Sequence, residues 1–194
     1  MELGRTLRRD EVALDPQTVE RGLKDGLAGG TPALTEERMR QAMAAVQVQV
    51  QARRQEKAAR AAQTNRAEGD AFLKANAARP GVVTLPSGLE YQILEAGTGP
   101  LPNADDTIIC NYRGTLINGT EFDSSYSRGV PATLNVSHVI KGWTEALERM
   151  PVGSKWRLVI PADLAYGAKG AGADIGPGAV LVFEVELLSI QPPA

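Results

Sequence analysis

The sequence predicts an α+β fold, in which two helical segments precede an antiparallel sheet that packs on one short helix. Three observations lead to this prediction. Eight of the nine aromatic residues lie beyond residue 90, and fourteen of the twenty glycines lie beyond residue 79. Residues 35–79 contain no proline and consist mostly of good helix formers. From residue 80 onward, short β-rich runs alternate with turn residues, which is typical of a sheet domain.

The first helix is predicted to begin at Asp15-Pro16, because Asp is a favoured N-cap and Pro a favoured first helical residue. Gly29-Gly30 is predicted to end it. A narrow apolar stripe recurs at intervals of four residues. It consists of Val19, Leu23 and Leu27. Gly22 and Gly26 lie beside this stripe, where they either let a second helix approach closely or are merely tolerated.

A second helix is predicted from the N-cap Thr35 to about residue 77, which at ~1.5 Å per residue is about 65 Å long. Its first third carries an apolar seam at spacings of four, three and four, as in a short coiled coil. The seam consists of Met39, Met43, Val46 and Val50. Basic residues interleaved with alanines follow. The basic residues include Arg53, Arg54, Lys57 and Arg60. The helix beyond the seam is therefore predicted to be a solvated rod.

Residues 1–50 contain no aromatic residue and cannot bury a large core alone, and oligomerisation is the usual remedy in segments of roughly this size. We therefore predict that they pair with a second copy of the chain. The contacts are expected at Leu23, Leu27, Met39, Met43 and Val46. The alternatives are that the stripe folds back on the C-terminal domain, or that the basic stretch binds nucleic acid. No aromatic residues interleave the basic ones, which disfavours nucleic acid.

The charge is divided along the chain in the same way as the composition. The net charge is −1 over residues 1–34, +4 over residues 35–79 and −5 over residues 80–194, although the whole chain carries only −2. We predict a dimerisation segment in residues 1–34, a connecting helix in residues 35–79 that shares in the dimer contact, and a sheet domain in residues 80–194.

Composition also excludes several classes of protein. No run of about 18 apolar residues exists that could span a membrane. No signal-like stretch opens the sequence, so any secretory segment is expected to have been removed or never to have existed. A single cysteine and a single histidine exclude a disulfide framework, a cysteine zinc site and a histidine-rich metal centre. We therefore expect neither a metal nor a cofactor.

Turn signals divide the C-terminal half into short elements. Strands are predicted at Leu89–Ala96, Thr107–Leu116, Glu121–Asp123, Ala132–Val136, Lys155–Ile160 and Val180–Ile190. Asn118-Gly119 is a strong hairpin signal. Val139–Arg149 is predicted as the one helix of this half, and Tyr166–Gly178 as a glycine-rich loop.

The sequence contains no convincing motif for covalent, acid–base or phosphate chemistry. No nucleophile is paired with a base, and Cys110 is expected to be a small buried residue. His138 is interpreted as a partly exposed residue at a helix start. Gly167-x-x-Gly170 lacks the Lys-Ser/Thr ending and the helix of a phosphate loop. An unusual set of aromatic residues remains, consisting of Tyr112, Phe122, Tyr126, Trp143, Trp156, Tyr166 and Phe183. With the single carboxylate of Asp123, this set indicates a binding pocket.

Residues 80–190 resemble the FK506-binding-protein (FKBP) family of peptidyl-prolyl isomerases. The matching strings are Asn111-Tyr112-Arg113-Gly114-Thr115-Leu116, Glu121-Phe122-Asp123-Ser124-Ser125, Val139-Ile140-Lys141-Gly142-Trp143, Leu164-Ala165-Tyr166-Gly167 and Leu181-Val182-Phe183-Glu184-Val185-Glu186-Leu187. The helical half resembles the branch of macrophage infectivity potentiator (Mip) and FkpA-like proteins, which carry a dimerisation segment and a long helix before this domain.

The resemblance implies a site and assigns roles to its residues. Trp143 would form the floor of the pocket. Its walls would be Tyr112, Phe122, Val139, Ile140 and Phe183. Asp123 would lie near the substrate carbonyl, and the Tyr166 hydroxyl and the Ile140 N–H would donate to a bound carbonyl. Arg128 would orient Asp123 or Tyr112, and Ile175 would lie in a flap. Tyr112, Asp123 and Tyr166 are thus the predicted catalytic residues.

The residue types also fit this chemistry by themselves. Amide resonance keeps the X-Pro bond planar and places charge on its carbonyl oxygen, so the bond isomerises over tens to hundreds of seconds unaided. An apolar pocket penalises this charge separation more in the planar ground state than in the twisted transition state. Such catalysis needs no nucleophile, metal or cofactor.

Three positions depart from the pattern that the resemblance implies. Ala132 stands where many members carry a large apolar or aromatic residue, and Ala171 and Asp174 replace bulkier or apolar flap residues. Ala132 belongs to the predicted substrate-binding set. These departures bear on the residue preferred before proline and on affinity for macrolides such as FK506 or rapamycin.

The resemblance favours an isomerase of proline-containing peptides and unfolded proteins, presented as a V-shaped homodimer. The alternative is a client-holding chaperone or adaptor in which isomerisation is secondary. By analogy the protein is expected in the periplasm or at the cell surface or outer membrane of a Gram-negative bacterium, with a cytoplasmic location as the alternative. A role in infection is implied by the Mip resemblance alone.

Overall fold

The computed structural model describes residues 15–29 and 35–191 of the chain. It divides into two compact units, one ending at Ala58 and the other beginning at Ala59. The predicted α+β class is confirmed. The parts of the predicted dimerisation segment in residues 1–14 and 30–34, with Gly30 of the predicted helix end, lie outside the described residues.

The limits of the two helices in the N-terminal half agree closely with those predicted from the sequence. Helix α1 spans Pro16–Leu27, and the Asp15 carboxylate caps it by accepting from the backbone N–H groups of Gln17 and Thr18. Helix α2 spans Glu36–Ala77, and the hydroxyl of the predicted N-cap Thr35 accepts from the Arg38 backbone N–H at 3.3 Å. Acidic residues in its first turn complement the helix dipole.

The second unit contains an antiparallel sheet. Its strands are β1 (Val82–Thr84), β2 (Glu90–Glu95), β3 (Thr107–Leu116), β4 (Glu121–Ser124), β5 (Ala132–Asn135), β6 (Lys155–Ile160) and β7 (Leu181–Gln191). Hydrogen bonding gives the order β1-β2-β6-β7-β3-β4, and β5 pairs with β3 on the same edge as β4. The two longest strands, β3 and β7, therefore pair at the centre of the fold.

The sheet is covered on both faces. One face packs against helix α4 (Lys141–Leu147), whose Trp143, Ala146 and Leu147 are buried in the main core. On the other face, Phe72 and Leu73 of α2 pack against a second cluster that includes Val180 and Val182. The prediction of a solvated rod is therefore wrong for the last turns of α2, where Gly69 and Asn76 are buried.

The shortest elements differ most from the sequence prediction. The predicted helix Val139–Arg149 is shorter, because α4 begins at Lys141 and a separate 3-10 turn spans Val136–His138. Nor is α4 the only helix of this half, since α3 spans Ser125–Arg128 and another 3-10 turn spans Ala162–Leu164. Strand β1 was not predicted. His138 ends its 3-10 turn instead of opening α4, because the extended residues Val139 and Ile140 intervene.

Cys110 fills space in the core. It is fully buried on β3, and burial raises the pKa of its thiol to about 12. The interpretation of Cys110 as a small buried residue is confirmed, and a thiol in this state is not a nucleophile at neutral pH.

Candidate functional site

A cavity of about 400 Å³ opens between the sheet and the residues around α4. Its lining combines aromatic, aliphatic and a few polar side chains. The residues are Tyr112, Phe122, Asp123, Leu134, His138, Val139, Ile140, Trp143, Tyr166 and Phe183. They come from strands, turns and a helix that are distant in sequence, so the fold assembles the site.

Strand alternation on β3 supplies one wall. Successive side chains of a strand point to opposite faces, and on β3 the inward residues include Tyr112 and Gly114. Gly114 pairs with Phe183 of β7. A Cβ at Gly114 would lie 2.7 Å from the Phe183 ring and 2.8 Å from the Phe122 ring. Only glycine lets both rings lie against the strand at this position.

The rings meet edge to face around the buried indole of Trp143. The centroids of Tyr112 and Trp143 are 5.3 Å apart with an interplanar angle of 89°, and those of Trp143 and Phe183 are 5.3 Å apart at 88°. Phe122 and Phe183 are 5.5 Å apart at 85°. Aromatic pairs favour this geometry because a positive ring edge meets a negative ring face. The indole, 3% exposed, closes the bottom of the cavity.

A β-bulge explains how two neighbouring residues of β4 both reach the cavity. Gly114 pairs with Asp123 whereas Thr115 pairs with Glu121, so Phe122 is the extra residue. In a regular strand, Phe122 and Asp123 would point to opposite faces. A bulge changes the direction of its side chains and is common beside functional sites.

Asp123 has a different donor on each carboxylate oxygen. The Tyr112 hydroxyl donates to Oδ2 at 2.5 Å, and Arg128 forms an ion pair with Oδ1. Arg128 Nη2 also donates to the Tyr112 hydroxyl at 2.9 Å, and its guanidinium lies 5.4 Å from the centre of the Tyr112 ring. The three side chains form a closed triangle of hydrogen bonds at one side of the cavity.

This triangle sets the charge states of its members. Burial raises the pKa of Asp123, but the hydrogen bonds from Tyr112 and Arg128 outweigh burial and hold that pKa below its usual value. Burial and the hydrogen bond to Asp123 raise the pKa of Tyr112. At neutral pH the site therefore presents an ionised carboxylate, a protonated phenol and a guanidinium.

Ser125 anchors the segment that carries Arg128. Its fully buried hydroxyl accepts from the Tyr112 backbone N–H at 2.9 Å, which ties the start of α3 to β3. The Ser124 hydroxyl accepts from the Ser127 N–H as the cap of α3, and Gly129 ends the helix in the left-handed conformation at φ 72°. Only four residues long, α3 thereby directs Arg128 towards Asp123.

Two donors at the cavity have no acceptor within the described residues. The Tyr166 side chain is 41% exposed, and its hydroxyl makes no hydrogen bond in that part of the chain. The Ile140 N–H, at the N-cap of α4, likewise has no acceptor there. Both donors are available to a bound carbonyl.

The structure brings together most of the site residues predicted from the sequence. Three of them lie outside the cavity lining: Arg128 contacts it through Asp123, Ala132 packs on the core opposite Cys110, and Ile175 packs on the core from the loop. Leu134 and His138 line the cavity and were not predicted. Leu134 has a signal in the sequence, because it lies two residues from Ala132 on one strand face.

The residues predicted to contact a second chain are exposed within the described chain. Their exposed fractions are Leu23 60%, Leu27 86%, Met39 45%, Met43 62% and Val46 42%. Large apolar side chains at this exposure, in a row along two helices, are a common mark of an interface.

Within residues 15–29 and 35–191, no group of three or more His, Cys, Asp or Glu side chains could hold a metal ion. In the same ranges, no helix has both the length and the apolar character needed to cross a membrane.

Two family models match the chain. The one described as FKBP-type peptidyl-prolyl cis-trans isomerase matches residues 99–188. The other, described as the domain amino terminal to FKBP-type peptidyl-prolyl isomerase, matches residues 1–93. Together they account for both halves of the chain.

Individual proteins agree with these matches. The outer membrane protein MIP of Legionella longbeachae is 45% identical over 193 residues, covering 100% of this chain and 83% of that protein. The peptidyl-prolyl cis-trans isomerase Mip of Coxiella burnetii is 45% identical, covering 97% and 82%. The crystal structure of FkpA from Escherichia coli matches with a TM-score of 0.82 and 39% identity, covering 98% of this chain and 90% of that one.

Proposed function

The chain belongs to the FKBP-type peptidyl-prolyl cis-trans isomerase family, in its Mip and FkpA-like branch, and from this membership we propose how its cavity accelerates the reaction. The protein is a peptidyl-prolyl cis-trans isomerase. The observation that carries the proposed mechanism is the aromatic cavity with an ionised Asp123 at one side. Its substrates are peptides and unfolded proteins that contain an X-Pro bond.

The proline ring enters the cavity and stacks above Trp143, between the rings of Tyr112 and Phe183. A cavity of about 400 Å³ has room for the proline ring and the amide that precedes it. The edge-to-face packing of the rings keeps the floor rigid, so the proline is held while the chain before it rotates.

The carbonyl groups of the substrate use the two donors at the cavity. The Ile140 N–H and the Tyr166 hydroxyl each donate to a peptide carbonyl and fix the chain on either side of the rotating bond. Asp123, held by Tyr112 and Arg128, lies beside the carbonyl that precedes proline. A fixed carboxylate there disfavours the negative carbonyl oxygen of the planar amide.

Rotation is accelerated because entry into this site raises the free energy of the planar amide more than that of the twisted amide. Resonance gives the planar form its charge separation and a barrier of roughly 18–20 kcal/mol. Removal of water by the aromatic walls raises the free energy of that form, while the twisted form, with less charge separation, is affected less. No bond is made or broken.

Matched variants test these roles on a short peptide with one X-Pro bond. Tyr166→Phe is expected to lower kcat/KM by about tenfold, the effect of one lost hydrogen bond. Asp123→Leu is expected to lower it further, because it removes the charge and the partner of Tyr112 and Arg128. Tyr126→Phe is the control, since the Tyr126 hydroxyl donates to Glu186 outside the cavity. Unchanged rates in both Asp123→Leu and Tyr166→Phe would refute the assignment.

A second function, client holding by a homodimer, is favoured by the exposed stripe on α1 and the exposed seam on α2. Two cavities joined by helices would bind two segments of one unfolded chain, and the linkage would increase avidity. Isomerisation of protein substrates would then depend on the dimer more strongly than isomerisation of short peptides does.

Two further proposals rest on the relatives. The name of the Legionella longbeachae protein supports a location in the bacterial envelope, and detection of the protein in separated periplasmic and outer membrane fractions tests it. Family membership supports binding of macrolides such as FK506 or rapamycin in the same cavity. They are then expected to inhibit peptide isomerisation competitively.

A further inference from the structure

Helix α2 contacts the glycine-rich loop that follows Tyr166. The side-chain amide of Asn65 donates from Nδ2 to the carbonyl oxygen of Pro177 at 2.9 Å, and Asn65 is partly buried there. The covered residues of α2 recur at spacings of three and four over its last turns, which marks one face. They are Ala62, Asn65, Gly69, Phe72 and Asn76, and Ala61 and Leu73 are partly buried beside them. Asn65 is the point on this face that meets the loop through a hydrogen bond.

The loop is built to allow this approach. A Cβ at Gly176 would lie 2.8 Å from Asn65 Nδ2, closer than real side chains come. A Cβ at Gly178 would lie 3.2 Å from the Ala62 carbonyl oxygen, and Gly178 adopts φ +72°. Both glycines thus let the loop backbone lie directly against the helix.

The contact is transmitted to Tyr166 through the backbone of the loop. The Gly178 N–H donates to the Gly167 carbonyl oxygen at 2.9 Å, which closes the base of the loop beside Tyr166. Farther out, Ala171 and Ile175 exchange both backbone hydrogen bonds, at 2.9 and 3.1 Å. Because these hydrogen bonds close the loop at its base and near its tip, we expect it to move as a unit. A displacement of Pro177 would then also displace Tyr166.

We propose that Asn65 is a positioning residue for the isomerisation reaction: it holds the base of the loop against α2 and thereby places the Tyr166 hydroxyl at the cavity. This inference rests on the proposed donor role of Tyr166. It extends the functional unit into helix α2, outside the residues that line the cavity.

The test uses the full chain and a short peptide with one X-Pro bond. Asn65→Leu removes the amide donor at similar size and is expected to lower kcat/KM by about two- to tenfold, as for one hydrogen bond. Gln63→Leu is the matched control, because Gln63 is exposed on the same helix, and it is expected to leave kcat/KM unchanged. Asn65→Gln keeps a donor and is expected to recover part of the loss.

A double-mutant cycle separates positioning from a general loss of stability. If Asn65 acts through the Tyr166 hydroxyl, Asn65→Leu has little further effect on kcat/KM in a Tyr166→Phe background. Hydrogen exchange of the Ala171, Ile175 and Gly178 amides is expected to accelerate in Asn65→Leu, with sheet amides unchanged. Equal losses in both backgrounds, or exchange that accelerates throughout the sheet, would overturn the proposal.

The outcomes also distinguish this proposal from the proposed role of Tyr166. If Tyr166→Phe alone leaves kcat/KM unchanged, the donor role of Tyr166 fails, and Asn65 cannot act through it. If Tyr166→Phe lowers kcat/KM but Asn65→Leu equals the Gln63→Leu control, only the positioning role of Asn65 fails.

Discussion

Arg128 controls the ionisation of the carboxylate at the site. Arg128→Gln is expected to raise the pKa of Asp123, because burial then acts against fewer hydrogen bonds and no nearby positive charge. The acid limb of the kcat/KM profile should therefore move to higher pH. The free energy of unfolding depends on the same group. Because the pKa of Asp123 is lower in the folded than in the unfolded state, its carboxylate stabilises the fold at pH values above the unfolded-state pKa. This contribution is lost as the pH falls through the folded-state pKa.

The measurement is a pH–rate profile combined with carbon-13 NMR titration of the Asp123 carboxyl. Arg113→Gln is the control, because Arg113 pairs with Glu121 away from the cavity. An acid limb that stays in place in Arg128→Gln would show that Arg128 does not hold the pKa of Asp123 down.

Glu90 presents the opposite case, a buried carboxyl whose pKa is raised. Burial raises it and outweighs the hydrogen bond from Asn76 and the charge of Arg157. The folded state thus favours the protonated form, and the stability from this group is lost as pH rises through the folded pKa. Glu90→Gln keeps an acceptor for Asn76 without the charge. Its free energy of unfolding, relative to that of the native protein, should increase from acid to neutral pH.

Urea unfolding at acid and neutral pH measures this difference. Glu95→Gln, at the exposed end of the same strand, is the control and should show no such trend. A relative stability that decreases towards neutral pH would mean that the Glu90 carboxylate is stabilised by its partners on balance.

At the residue scale, the sequence predicted which residues meet at the cavity better than it predicted their geometry. The five aromatic residues that line the cavity and Asp123 occur in strings specific enough to assign them to one site, whereas Tyr126 and Trp156 were predicted with them but lie outside its lining. The bulge at Phe122 was not predictable, because it depends on how β3 and β4 pair. His138 was assigned to a helix start, and only the extended turn before α4 brings it to the cavity.

At the scale of elements, long patterns were predicted well and short ones poorly. Helix α2 has no proline over its whole length, so its limits were predicted to within one residue. Strand β1 and helix α3 contain three and four residues, and tertiary contacts such as that of Ser125 with β3 hold them in place. The docking of α2 on the sheet was missed because its buried contact residues, Gly69 and Asn76, give no hydrophobic signal. Phe72 and Leu73 also make the contact, but two adjacent apolar residues do not form a stripe at helical spacing.

Gly69 allows α2 to dock closely on the sheet. Ala favours a helix over Gly by about 1 kcal/mol, but a Cβ at Gly69 would lie 2.7 Å from Val180 Cγ2. We expect Gly69→Ala to destabilise the protein by about 1–2 kcal/mol, the usual cost of overpacking. In a Val180→Ala background the clash is relieved and the same change should stabilise.

Thermal and urea unfolding of the two single variants and the double variant measure this coupling. Ala67→Gly, on the exposed side of α2, gives the ordinary cost of glycine in this helix for comparison. If Gly69→Ala stabilises the native background as much as the Val180→Ala background, close packing at Gly69 is not required.

At the scale of the whole molecule, the seam of α2 is the predicted contact with a second copy of the chain. Its side chains Met39, Met43 and Val46 are exposed in the single chain, and apart from Val48 the residues around them are polar or small. Burial of apolar surface contributes about 25 cal/mol per Å², so a second copy of the same seam offers a gain in stability. A self-complementary interface is the usual arrangement in a symmetric dimer.

Val46→Asp places a charge in the seam and is expected to give monomers in sedimentation velocity at micromolar concentration. Val48→Asp is the matched control, because Val48 is 69% exposed but lies outside the seam, and this variant should remain dimeric.

The Val46→Asp monomer should retain kcat/KM on a short peptide, since the cavity lies wholly in the second unit. On an unfolded protein substrate it should be slower by tenfold or more, roughly the loss expected when two linked binding sites are separated. Equal losses on both substrates would show that the dimer supports the isomerase site itself, and a native protein that sediments as a monomer would refute the seam as an interface.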